Sequence, residues 1–220
     1  MIAMARYVCA RCFVSQRWIP PLTLFALVSA VLYSSSGDAL GTGAIGALLL
    51  LPVSAWMSAA ALNMDGPSQV AVVTASLGGY LRGRAAIVLT TAVVSVSIGL
   101  PGIAIALLSD PHHGGVTGPV GTSGLLLVAT SMTTAAGVVL GQLCARPIIR
   151  RPGFSWLVAI FASVMAIAVP GSPFGSLLKL LSAPNTSPSL REVSYLGLST
   201  LVAAGVLFAA LLWVSRRLER

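Results

Sequence analysis

Charge is what this sequence has least of. Asp, Glu, Lys and Arg together make up 8% of its 220 residues, where an ordinary soluble domain carries about 25%. So little charge cannot cover a water-facing surface, which argues against a soluble domain. Lysine occurs once, as Lys179. No Gly-rich loop ending in Lys and Ser or Thr is present to cradle a nucleotide phosphate, so any use of ATP requires another chain.

Histidine and cysteine are also scarce. Cys9 and Cys12 form a Cys-x-x-Cys pair, but neither a second pair nor a neighbouring His completes a tetrahedral metal site. His112 and His113 beside Asp110 sit among Gly114, Gly115 and Gly118 and read as a solvated loop. With both histidines in a loop, an intramembrane protease needing Ser and His at membrane depth is excluded. The sequence therefore predicts no catalytic residue, no metal and no cofactor. No acidic, basic or histidine residue lies within the long apolar stretches, which disfavours ion-coupled transport. The three cysteines fall on one predicted side, against a disulfide framework.

What is abundant is apolar surface, with 56% hydrophobic residues and a mean hydropathy of +0.94. Crossing a hydrocarbon core takes about 20 apolar residues in a helix. Stretches free of Asp, Glu, Lys and Arg run over 19–36, 39–62, 85–109, 120–145, 153–170 and 194–215. The first two are separated by Gly37 and Asp38, which predicts a helical hairpin. The fold class is all-α: a polytopic membrane protein with six transmembrane helices in one domain, 1–220. Residues 1–18 lack a cleavable signal pattern, and no room remains for a large extramembrane domain.

Basic residues set the orientation. Arg6, Arg11, Arg17, Arg82, Arg84, Arg146, Arg150, Arg151, Arg216, Arg217 and Arg220 fall on one predicted side, and only Lys179 and Arg191 on the other. The positive-inside rule places the first side, with both termini, in the cytoplasm. Trp18, Tyr80, Trp156 and Trp213 mark the inner interface, Tyr33 and Tyr195 the outer one. Arg, Ala, Gly and Val bias suggests a GC-rich bacterial genome, hence a bacterial cytoplasmic (inner) membrane. The net charge of +8 is scattered beside apolar segments and gathers into no nucleic-acid patch.

Three connecting segments carry the remaining signals. Residues 1–18 are expected to form an interfacial helix, with Tyr7, Val14 and Trp18 toward the lipid. In the inner loop 63–84, Asp65, Gly66 and Pro67 start a short helix, Val70, Val73 and Leu77 recur at helical spacing, and Gly78 and Gly79 end it. The outer segment 171–195 opens with Phe174 to Leu181, too short to cross, and is expected to be re-entrant or interfacial. Gly137 with Gly141 and Ser95 with Gly99 permit close helix approach. Pro52 and Pro101 interrupt backbone bonding within two spans.

This layout resembles the permease subunit of a type-2 ABC exporter, the six-span family that includes small haem-exporter permeases. The stretch Thr74-Ala75-Ser76-Leu77 through Tyr80-Leu81-Arg82-Gly83-Arg84 is similar to the family's small-polar patch followed by a basic residue entering span three. Asp65 is the only acid in the inner loop, where many members carry Glu. The resemblance implies a coupling helix at 67–77 that docks on a separate ATP-binding subunit, with Asp65, Pro67, Val70, Val73, Leu77 and Arg82 at the contact. It also implies a second permease copy, as a homodimer or with a similar chain, and transport of an apolar or amphipathic substrate such as a peptide, a drug-like molecule or a lipid. A non-transporting membrane scaffold or assembly factor is the alternative, and a membrane enzyme or ion-independent carrier a third.

Overall fold

The computed structural model describes residues 2–34, 38–63, 80–109, 118–145, 152–169, 171–182 and 190–218. These form eight α-helices and no strand: α1 (Ile2–Ser15), α2 (Ile19–Ser34), α3 (Ala39–Leu62), α4 (Tyr80–Ser109), α5 (Gly118–Cys144), α6 (Pro152–Ala168), α7 (Pro173–Ser182) and α8 (Leu190–Leu218). Each of the six apolar stretches is a helix. Three are long and apolar enough to cross a membrane alone, and α6 with α7, bent by 57°, make a fourth candidate. The 16-residue α2 is apolar but shorter.

Local chemistry sets the breaks. Asp38 caps α3, its carboxylate accepting from the Gly41 N–H at 3.3 Å, which satisfies one of the donors a helix start leaves orphaned. Gly171 has φ +80°, a left-handed conformation open to glycine, and lies where the chain turns from α6 into α7. Gln16 has φ 53°, which ends α1 at Ser15. The helix expected over 1–18 is present but ends three residues early. Trp18 lies beyond that break and packs on Phe25, Leu50, Val53 and Met57, while Val14 remains exposed.

Helix α3 is the centre of the bundle. It packs on α2, α4, α5, α6 and α7, and most of its length is buried. Its tightest partner is α5, which runs parallel to it. A methyl group at Gly137 would overlap Ser54 Oγ and the Leu51 carbonyl oxygen, and one at Gly141 would overlap the Ala55 carbonyl oxygen. Only glycine lets two backbones approach this closely. Gly99 of α4 sits against Leu50 and Thr130, so the Ser95–Gly99 pair also marks an interface.

Toward the α3 start, Leu40, Ala44 and Leu48 pack with Leu125 and Met132 of α5 and Val193 of α8. Phe174, Leu177 and Leu181 of α7 join this cluster. The segment 171–195 therefore includes a helix docked on the bundle by one apolar face, and its residues 183–189 lie outside the described residues.

The interior holds many hydroxyls among its apolar side chains, and large apolar side chains also cover the exterior. Ser54, Ser95, Thr122, Thr130, Thr133, Thr134 and Ser163 are buried, while Leu27, Val31, Val93, Leu108, Phe161 and Leu198 are exposed. The buried hydroxyls bond largely to their own helices, as Thr133 does to the Ala129 carbonyl at 3.0 Å and Ser163 to the Ala159 carbonyl at 2.7 Å. Exposed apolar surface of this extent is not stable against water. It suits hydrocarbon.

Candidate functional site

Polar side chains concentrate at one end of the bundle, where α1, α3 and α5 finish and α4 and α6 begin. We call this the basic end. Helix α3 stops at Asn63, whose N–H reaches the carbonyls of Ala59 and Ala60 at 3.2 and 3.1 Å. Its side-chain Nδ2 donates to Ser155 Oγ of α6 at 3.2 Å, and Ser155 donates to the Cys144 carbonyl at 2.6 Å. Ser155 thereby satisfies a terminal carbonyl of α5 that has no partner within its own helix. From the α1–α2 connection, an Arg17 terminal N–H donates to the Asn63 carbonyl at 3.3 Å.

A second chain of bonds lies deeper. Arg84, only 4% exposed, donates through Nε to Gln142 Oε1 at 3.2 Å. Gln142 Nε2 donates to Ser58 Oγ at 3.1 Å, and Ser58 donates to the Val138 carbonyl at 3.0 Å. Three helices, α4, α5 and α3, are thus tied through one guanidinium and one amide. The apolar stretch read as beginning at 85 is thus preceded, in the same helix, by a buried basic residue. Helix α4 begins at Tyr80 and not near 85, and carries Arg84 into the bundle as part of the apolar helix Arg82–Ser109. The signal for this pairing is the uncharged Gln142, which lies among apolar neighbours in α5 and could have been matched to a basic partner.

Beside these bonds is a cleft of about 320 Å³ lined by Arg17, Pro20, Trp56, Ala59, Ala60, Asn63, Ser155 and Trp156. The indoles of Trp56 and Trp156 stack at 4.9 Å between ring centroids with 15° between planes, and so pin α6 to α3. Trp56 carried no sequence signal, since an aromatic within a long apolar stretch has many unremarkable uses.

Of the anticipated contact residues, Asp65, Pro67, Val70, Val73 and Leu77 lie outside the described residues. Arg82 lies in the first turn of α4 and is exposed, two residues before buried Arg84. His112, His113 and Asp110 also lie outside the described residues. Among the described residues no three of His, Cys, Asp and Glu come together. Ser58 and Ser155 both donate to backbone carbonyls, so neither hydroxyl is held toward a base. What this arrangement does is hold helix ends together. Comparison with family models, with curated proteins and with solved structures finds no match to this chain.

Proposed function

We propose that this chain is the transmembrane subunit of an ATP-driven exporter of the type-2 ABC kind. In this reading six helices cross a bacterial cytoplasmic membrane, with the basic end and both termini in the cytoplasm. Two permease copies enclose a path for an apolar or amphipathic substrate, and a separate ATP-binding subunit supplies energy through the loop 63–84.

One observation supports this reading above the others: both ends of that loop are pinned to the bundle. At its start Asn63 holds the α1–α2 connection and α6, through Arg17 and Ser155. At its end Arg84 holds α5, and through Gln142 the inner turns of α3. A push on the loop would therefore move several helices together, as an energy-coupling element must. Arg82 lies within the loop, two residues before this anchor, and is exposed where a partner can reach it.

Replacing Val73 or Leu77 with Asp tests the proposal. A carboxylate placed in an apolar contact costs several kcal/mol, so the ATPase should be lost on co-purification while the permease remains inserted. If no ATP-binding chain co-purifies with the wild type, or if both variants keep it at the normal ratio with normal substrate-stimulated hydrolysis, the coupling assignment fails.

A further inference from the structure

We propose that the cleft beside the Trp56–Trp156 stack binds the headgroup of a phospholipid, taking its phosphodiester anion on Arg17. The inference requires the chain to sit in a bilayer but does not depend on its serving a transporter. Arg17 is exposed, and one of its N–H groups reaches the Asn63 carbonyl. The guanidinium has five donors in all, so several remain for phosphate oxygens, and phosphate is the anion whose geometry its fork matches. None of the residues lining the cleft is acidic. The cleft at the opposite end, between α7 and α8, presents Arg191 together with Glu192 and does not select an anion in this way.

Depth and size point to a lipid. Trp56 lies about 9 Å from the end of α3 at 1.5 Å per residue, comparable to the thickness of the headgroup layer on one side of a bilayer. The cleft therefore runs from a cationic mouth to indole walls, the order in which a phospholipid presents phosphate, glycerol and acyl chain. Its volume of about 320 Å³ is at the lower bound of small-molecule sites, enough for a headgroup. Asn63 adds an amide whose Oδ1 is buried and accepts no hydrogen bond among the described residues. A headgroup that also carries a hydroxyl offers a donor beside that amide.

The test uses the full chain purified in a mild detergent, delipidated and titrated with phosphatidylglycerol while bound lipid is counted by native mass spectrometry. No ATPase is present, so the result is independent of the coupling proposal. One lipid per chain should be retained, with affinity lowered about tenfold in Arg17→Gln, as for loss of a charge-assisted hydrogen bond, and partly restored in Arg17→Lys, which returns the charge without the fork. Trp156→Ala, which removes a wall without touching the charge, should weaken retention as well. Diacylglycerol should not bind, and inorganic phosphate at equal concentration should not displace the lipid. Equal retention by wild type and Arg17→Gln overturns the proposal, as does equal binding of diacylglycerol. Displacement by inorganic phosphate overturns the lipid in favour of a free anion.

Discussion

Along the α3–α5 seam, glycine carries the contact: Gly137 and Gly141 lie where any side chain would meet the backbone of Leu51 or Ala55. On the outer faces of α2 and α6, Leu27, Val31 and Phe161 are 67%, 74% and 68% exposed. Bulky apolar residues face outward here as well as inward, and glycine lines the seam where the two backbones meet. In lipid, burying leucine against protein gains little over leaving it against acyl chains, so packing and hydrogen bonds decide which helices meet. The seam thus depends on residue identity and the rim on composition, and substitutions should separate them.

The largest effect is expected at the seam. Gly141→Val places a branched side chain against the Ala55 carbonyl and the Ser58 Cβ, and backbone cannot move aside as a flexible side chain can. Overpacking of this kind costs about 3 kcal/mol. The unfolding midpoint in detergent should fall well below that of the wild type, and an unchanged midpoint would mean that α3 and α5 do not meet as described.

A smaller effect is expected at the basic end. Arg84→Ala leaves Gln142 Oε1 without the donor it has at 3.2 Å, and the loss should be about 1–2 kcal/mol, within the range for interhelical bonds in membranes. Gln142→Ala should cost a similar amount, and the double variant less than the sum, because both changes break the same chain of bonds. Unfolding measured for all four proteins closes the cycle. Strict additivity would show that the two side chains act independently.

Much of this bundle was legible in the sequence because helix length and apolar length coincide in a membrane. The helix start at Asp38, a helix over each apolar stretch and the close-approach glycines can all be read from patterns within single helices. Two features were not legible. Arg84 looks like a flanking charge because the sequence places it beside an apolar stretch, and only the packing of α4 against α5 brings it to Gln142. Trp56 sits in an apolar run, and its stack with Trp156 depends on the lateral position of α6, which no pattern within either helix encodes. The loop 63–84 offered a helical spacing and a resemblance, while the structure contributes its two anchors, Asn63 and Arg84.

The smallest effect is expected where a glycine faces outward. Gly205 of α8 has nothing within 4 Å of the position its Cβ would take, in contrast to Gly141. Alanine there adds no contact and removes backbone freedom from the unfolded chain, so Gly205→Ala should leave stability unchanged or raise it by up to about 1 kcal/mol. The same unfolding assay that reads Gly141→Val checks it, and the two glycines should differ in sign as well as size. A loss of stability or of oligomeric state at Gly205→Ala would place another protein surface against this face of α8, because lipid adapts to one methyl group and a packed helix does not. Measuring the midpoint with the mass of the detergent-solubilised complex distinguishes these cases: an unchanged mass with an unchanged midpoint assigns the face to lipid, and a smaller mass assigns it to a second chain.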